Sequence, residues 1–117
     1  MHLGVRPKPF MVWKNLFKLD AWPIESVVKV DDTITGIQEG INAGCWSIGI
    51  TDYSNYMDID TIDQWDNMDE NEKLARKEYS RKKIMNESGA HYVIQEFEDL
   101  LDVVDDINKR LLNGEKP

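Results

Sequence analysis

Residues 26–50 read SVVKVDDTITGIQEGINAGCWSIGI. Two short runs in this stretch, 26–30 and 45–50, are rich in apolar and β-branched residues and have the composition of β-strands. Between them, isoleucines recur at helical spacing, which predicts a helix over residues 35–43. A strand, a helix and a second strand in this order predict a βαβ unit, with parallel strands and a right-handed crossover.

The predicted helix 35–43 has a signal at each end. Thr35 and Gln38 have the spacing of a capping box, which predicts that the helix begins at Thr35. Gly44 follows the helix at the position where a C-terminal cap belongs. The sequence thereby bounds the helix on both sides.

Outside this unit, hydrophobic periodicity adds three helices and one strand: helices over 10–19, 64–87 and 97–111, and a strand over 89–94. A long polar loop after the second strand carries Asp52, Tyr53 and Asp58. The prediction is an α/β domain with about three parallel strands and flanking helices. Sheets usually contain about four to six strands, so we expect this chain to form part of a larger assembly.

Composition excludes several classes of protein. The 117 residues suffice for one domain, and a hydrophobic content of 41% predicts a packed core. With 14 basic and 22 acidic residues, the net charge of −8 disfavours nucleic-acid binding. No apolar run approaches the ~20 residues that span a bilayer, and the start carries no secretory h-region. Cys45 is the single cysteine, which excludes an internal disulfide. We expect a cytoplasmic, globular protein without nucleic-acid or membrane partners.

Two adjacent acids end the first predicted strand. Asp31 and Asp32 precede a helix, and ligands of open parallel sheets bind outside the carboxyl ends of the strands. Carboxylates at this place suit a hard cation such as Mg²⁺, and a helix N-terminus behind them suits an anion. The alternative is a turn with an N-cap, which Asp and Thr commonly form.

Three further side chains have both a chemical and a structural interpretation. Arg6 could grip a phosphoryl group through its planar fork of donors, or be an ordinary surface arginine. His91 lies in a predicted strand with no second histidine nearby, which favours a structural role. Cys45 begins a buried strand, which favours a small core side chain over a nucleophile.

Four motifs occur together in one order: Arg6-Pro7-x-Pro9-Phe10-Met11, Val28-Lys29-Val30-Asp31-Asp32-Thr33, Glu39-Gly40-x-Asn42-Ala43-Gly44-x-Trp46 and Gly89-Ala90-His91-Tyr92-Val93-Ile94. In this combination the chain resembles the C-terminal portion of the phosphonoacetaldehyde hydrolase family, within the haloacid dehalogenase superfamily. The resemblance runs from about Arg6 to the last helix. It implies that residues 1–117 are the C-terminal portion of one core domain.

The resemblance implies a partial Rossmann-like core without the cap domain and without the first strand. It also implies Mg²⁺ dependence, a homodimer, and hydrolysis of the carbon–phosphorus bond of a small phosphonate substrate to acetaldehyde and phosphate. In that family a cap lysine forms a Schiff base, which makes the leaving carbon an enamine, and an aspartate attacks phosphorus. Both residues lie upstream of the matching portion, and no Asp-x-Asp-x-Thr motif follows a first strand here.

Few site residues carry over. Asp32 matches the acid that helps to hold Mg²⁺, and Arg6 matches the arginine that faces the phosphoryl group. Asp31 and Thr33 flank the metal position, with roles that the resemblance does not define. A second acid often stands four residues after Asp32 in the superfamily, where this chain has Gly36. Compensation by Asp31 is therefore a hypothesis.

Three functional hypotheses follow. The first is the C-terminal core portion of a phosphonoacetaldehyde hydrolase, inactive alone because the nucleophile and the electron sink are missing. The second is a non-catalytic interaction module that pairs with itself or with a complementing N-terminal half through a sheet edge and exposed Trp13, Phe17 and Trp46. The third is a receiver-like domain with an acidic pocket at Asp31 and Asp32, which would need a phosphorylatable aspartate that the sequence does not show.

Overall fold

One parallel sheet organises the chain. The structure, a computed structural model, describes residues 5–52 and 54–117. The sheet contains three strands: β1 (Val28–Asp31), β2 (Trp46–Ile50) and β3 (Tyr92–Ile94). The described residues also form five α-helices: α1 (Phe10–Leu19), α2 (Ile34–Ala43), α3 (Ile62–Asp66), α4 (Glu70–Glu87) and α5 (Leu100–Leu112). Three single turns of 3₁₀ helix complete the order: Ile24–Ser26, Asn55–Met57 and Phe97–Asp99.

The predicted α/β architecture is confirmed. The sheet order is β1-β2-β3, and both pairings are parallel. Val28 pairs with Trp46 and Asp31 with Gly49, so the ends of β1 and β2 lie level. The carboxyl ends of the strands therefore share one edge of the sheet, where Asp31 and Asp32 lie.

The central strand β2 is covered on both faces. Successive side chains of a strand point to opposite faces. On one face, Trp46, Ile48 and Ile50 form a cluster with Ile94 and with Ile107 of α5. On the other face, Gly49 lies against Ile37 of α2 and Ile84 of α4. All five residues of β2 are buried, whereas those of β1, at the edge, are half-buried.

The predicted helix 10–19 and the Gly44 cap are confirmed, and the other boundaries shift for local reasons. Ser26 lies in a 3₁₀ turn, in which its hydroxyl donates to the Pro23 carbonyl, 2.7 Å away, so β1 begins later than predicted. The N-cap of α2 is Thr33 and not Thr35, because the Thr33 hydroxyl accepts from the Gly36 amide at 3.1 Å.

The predicted helix 64–87 is two helices. The side chain of Asp69 accepts from the Glu72 amide at 2.7 Å and is the N-cap of α4, which is therefore a separate helix. The charges of α4 pair along its surface, for example Arg76 with Glu72 at 3.2 Å. No helix in the described ranges is both long and apolar enough to cross a membrane.

Helix α1 packs against α2 and leaves aromatic side chains exposed. Its Val12 joins Ala43 and Cys45 in a second, smaller core cluster. Trp13 is 46% exposed and Phe17 is 88% exposed, as the interaction-module hypothesis expects. The same hypothesis is wrong about Trp46, which is 0% exposed because it begins the central strand.

Trp46 and His91 form a structural unit at the amino ends of the strands. The indole Nε1 donates to the Glu25 carbonyl at 2.8 Å, and the guanidinium of Arg110 lies 4.6 Å from the ring. The amide of Ser47 donates to Nδ1 of His91 at 2.9 Å, so that nitrogen carries no proton. These contacts support the structural interpretation of His91. Burial lowers the pKa of His91 below its ordinary value of 6.5, and the charge of Arg110 lowers it further.

We expect stability to fall as the pH drops below about 6.5, because the unfolded chain then binds the proton that folded His91 resists. This contribution is complete above pH 6.5 and declines between 6.5 and the lower folded pKa. Urea unfolding at pH 7.5 and 5.5 measures it. In the variant His91→Asn, whose side chain does not titrate in this range, the loss between the two pH values should shrink. An equal loss in both proteins would contradict the prediction.

Candidate active site

The junction between β1 and α2 is built around the carboxylate of Asp31. Its Oδ1 accepts from the amide and from the hydroxyl of Thr33, both at 2.8 Å. The Thr33 hydroxyl in turn caps α2 through Gly36. The acid at the strand end thereby fixes the first turn of the following helix. The turn-and-cap interpretation is therefore supported for Asp31 and Thr33.

Four charged side chains meet behind this turn, and we call Arg6, Lys29, Asp31 and Glu39 the charge cluster. The ammonium of Lys29 lies 2.9 Å from Glu39 Oε1 and 3.2 Å from Asp31 Oδ2, and it donates to the Gly36 carbonyl at 2.5 Å. The guanidinium of Arg6 lies 3.2 Å from Asp31 Oδ2 and 3.4 Å from Glu39 Oε1. Arg6 also donates to the Thr33 hydroxyl at 3.4 Å.

Burial makes the charge cluster energetically important. The side chains of Asp31 and Glu39 are 8% and 4% exposed, whereas that of Arg6 is 46% exposed. A buried carboxylate requires a paired cation, and removing one partner of a buried pair costs about 3–5 kcal/mol. Burial alone raises the pKa of the Asp31 carboxyl, but the hydrogen bonds from Thr33 and the charge of Lys29 outweigh it. The pKa therefore lies below its ordinary value of 3.8.

Asp32 differs from Asp31 in its surroundings. It is half-buried, and within residues 5–52 and 54–117 its carboxylate has neither an ion pair nor a hydrogen bond. An unpaired carboxylate beside a helix N-terminus at the carboxyl end of a strand is chemically suited to a hard cation. In the described part of the chain, however, no three His, Cys, Asp or Glu side chains are grouped to hold a metal ion. Further ligands would have to come from elsewhere or from water.

The structure adds site residues that the sequence patterns did not indicate. The hydroxyl of Tyr56 accepts from the Ile34 amide at 2.9 Å, at the first turn of α2. Lys29 and Glu39 stood inside the quoted motifs without a predicted role. No local pattern in the sequence distinguishes these two residues from solvated charges.

The remaining candidates lie elsewhere. Cys45 directly precedes β2 and His91 directly precedes β3, so both are at the amino ends of the strands. Cys45 is 0% exposed, and burial raises the pKa of its thiol, as expected of a core side chain. Of the predicted loop residues, Tyr53 lies outside the described residues. The structure thus brings Arg6, Asp31 and Thr33 together, with Asp32 adjacent.

We expect Tyr56→Phe to lower the free energy of unfolding by about 0.5–1.5 kcal/mol, the usual net contribution of one hydrogen bond. The substitution removes only the hydroxyl that accepts from the Ile34 amide. Urea unfolding measures the effect, and Tyr79→Phe, at a tyrosine that is 60% exposed, is the matched control. Equal losses from the two substitutions would show that Tyr56 does not support the turn.

The chain is similar in sequence to enzymes of one name. Over 117 residues it is 41% identical to the phosphonoacetaldehyde hydrolase of Paraburkholderia phytofirmans, covering 96% of this chain and 41% of that protein. Over 114 residues it is 39% identical to the enzyme of the same name from Vibrio campbellii, covering 97% and 41%. The corresponding protein of Salmonella typhi is 38% identical, with coverage of 97% and 42%. The chain therefore spans about two fifths of the length of these relatives.

The chain is also similar to solved structures, one of which has a related name. A phosphonoacetaldehyde hydrolase-like protein from Oleispira antarctica superposes with a TM-score of 0.88 at 35% identity, covering 99% of this chain and 41% of that chain. A second crystal structure gives a TM-score of 0.88 at 27% identity, covering 100% and 60%. No family model matches the chain. The resemblance predicted from the four motifs is confirmed: nearly the whole chain is similar to about two fifths of proteins named phosphonoacetaldehyde hydrolase, which is consistent with the C-terminal portion of such a protein.

Proposed function

We propose that this chain supplies the phosphoryl-binding arginine and a metal-binding acid to the hydrolysis of phosphonoacetaldehyde. The observation that carries the proposal is the position of Arg6, whose guanidinium contacts Asp31 and Thr33, the residues on either side of Asp32 at the carboxyl end of β1. The names of the relatives support this reaction, and the position of Arg6 and Asp32 at one edge of the sheet supports the roles proposed for them.

Arg6 would bind the phosphonate group. Its guanidinium uses Nε, Nη1 and Nη2 to contact Glu39, Thr33 and Asp31, and it is still nearly half exposed. A guanidinium carries five N–H donors in a planar fork, so donors remain for phosphoryl oxygens. Because these three contacts fix the guanidinium, its remaining N–H donors have a defined orientation.

Asp32 would hold Mg²⁺, whereas the neighbouring Asp31 and Thr33 are already bound to other protein groups. The bound ion would neutralise charge on the phosphonate and so favour attack at phosphorus. The unpaired carboxylate of Asp32 fits such an ion, whereas both oxygens of Asp31 already have partners. We infer that Asp32 is the only member of the pair that is available to the cation.

The reaction would need a second polypeptide segment. The nucleophilic aspartate and the Schiff-base lysine implied by the resemblance would come from the part of the relatives that this chain does not match. β1 is an edge strand of the described sheet, and its open edge can accept a further strand. We therefore infer that a complementing N-terminal half docks there, and that the chain by itself is inactive. The cytoplasmic location remains a prediction.

The test is acetaldehyde release from phosphonoacetaldehyde with Mg²⁺. We expect no release by the 117-residue chain alone, and release when it is mixed with the unmatched N-terminal portion of the Paraburkholderia phytofirmans relative. Arg6→Ala or Asp32→Asn should lower the rate of the mixture about 100-fold, the typical cost of removing one group that stabilises transition-state charge.

Lys8→Ala is the matched control, because it removes an exposed cation two residues from Arg6. The control should leave the rate of the mixture unchanged. Turnover by the chain alone would refute its inactivity. A mixture that is as active with Arg6→Ala as without it would refute the role of Arg6.

A homodimer is the second candidate, and the exposed aromatic face of α1 favours it. Phe17 and Trp22 are 88% and 79% exposed, and Trp13, Leu16 and Ile24 line the same groove. Large exposed apolar patches typically mark interaction surfaces. A self-associating module would need no catalytic partner.

Sedimentation equilibrium distinguishes this candidate. We expect the mean mass to rise with concentration toward twice that of one chain, and Phe17→Ser to abolish the rise. Leu74→Ser, at a leucine of α4 that is 64% exposed, serves as the control and should sediment as the wild type does. A mass that does not change with concentration would leave α1 without a role in self-association.

A further inference from the structure

The Asp31 carboxylate occupies the space that a side chain at position 36 would need. A Cβ built on Gly36 would lie 2.1 Å from Asp31 Oδ2, 2.2 Å from Cγ and 2.4 Å from Oδ1. All three distances are far below a van der Waals contact, so the whole carboxylate group lies where the first side-chain atom would be. Residues 31 and 36 therefore compete for one volume.

The carboxylate of Asp31 cannot move aside without losing its partners. Oδ1 is held by the two donors of Thr33, and Oδ2 by Lys29 and Arg6. Asp31 has a short side chain, and these four contacts fix both of its oxygens. A side chain at position 36 would break them, and glycine is the residue that leaves them intact.

The same contacts determine what Asp31 can do. Its two oxygens already accept from two donors and face two cations, one of which is the ammonium of Lys29, whose side chain is 18% exposed. A divalent ion there would have to displace Lys29 or Arg6 from a nearly buried carboxylate. Asp31 is thus suited to hold Arg6 and unsuited to hold a metal.

We propose that Asp31 and Gly36 form a coupled pair in which Asp31 is the positioning residue for Arg6. The carboxylate enters the space left by Gly36 and anchors the Arg6 guanidinium against Thr33. In the superfamily, an acid often stands four residues after Asp32, where this chain has Gly36. Here the carboxylate of Asp31 occupies that space, and it binds Arg6. The steric pairing is independent of the proposed function, whereas the catalytic meaning of positioning Arg6 rests on it.

The first test measures whether positions 31 and 36 are coupled. We expect Gly36→Ala to lower the midpoint of thermal unfolding in the wild type, because the new methyl group displaces the Asp31 carboxylate. In an Asp31→Ala background, the same substitution should raise the midpoint, because alanine favours a helix more than glycine does. Thr35→Ala, at the exposed neighbouring position of α2, is the control and should give the same shift in both backgrounds. A shift of the same sign and size for Gly36→Ala in both backgrounds would overturn the pairing.

The second test measures the positioning of Arg6 directly. In nuclear magnetic resonance spectra, the guanidinium protons of Arg6 should exchange with water about tenfold faster in Asp31→Asn, since the ion pair between Arg6 and Asp31 Oδ2 is lost. Asp32→Asn is the matched control, because Asp32 has no ion pair among the described residues, and it should leave this rate unchanged. An unchanged rate in Asp31→Asn would overturn the positioning role.

Neither test requires turnover or a bound metal. If both succeed while the mixture of the two halves releases no acetaldehyde, the proposed function fails and the coupled pair stands. If the mixture is active but Asp31→Asn leaves the Arg6 exchange rate unchanged, the function stands and the positioning role fails. The two conclusions are therefore tested separately.

Discussion

The nearly complete burial of two carboxylates, Asp31 and Glu39, is the constraint on which the β1–α2 region depends. Each must be neutralised in place, and Lys29 lies within 3.2 Å of both. Because Lys29 is on β1 and Glu39 on α2, this neutralisation also fixes the helix against the strand. Arg6 pairs with the same two acids and brings the segment before α1 to the same place. Strand, helix and N-terminal segment are thus joined by four charges whose sum is zero.

This balance gives the site its chemical asymmetry. The carboxylate of Asp31 is paired with Lys29 and Arg6. The carboxylate of its neighbour Asp32 has no ion pair among the described residues. Of these two adjacent aspartates, Asp32 is therefore suited to bind a cation and Asp31 is not. The helix N-terminus beyond them is closed by Thr33 and by Tyr56, so its first turn is ordered by protein groups. Arg6 remains the most exposed member of the charge cluster, and it faces the edge where parallel sheets bind their ligands.

The sequence predicted the periodic features and missed those that depend on three-dimensional contacts. The βαβ unit followed from the alternation between apolar strands and a helix with regularly spaced isoleucines, since these patterns reflect burial directly. The N-cap was misplaced because Thr33 and Thr35 are equally good caps in isolation, and the Asp31 carboxylate selects Thr33. The roles of Lys29 and Glu39 were missed because no pattern distinguishes a lysine that is paired across elements from a solvated one. Tyr56, 22 residues from its partner, gave no local signal.

The position of β1 at the edge of the sheet has a thermodynamic consequence. β2 is covered on both faces and paired on both sides, but β1 is half-buried and paired only with β2. Any strand that binds its open edge in the folded state alone stabilises the fold by mass action. A partner at about 100 times its dissociation constant adds about 2.7 kcal/mol. The stability of this chain is thereby a function of the concentration of whatever pairs with β1, and it is not a constant of the polypeptide.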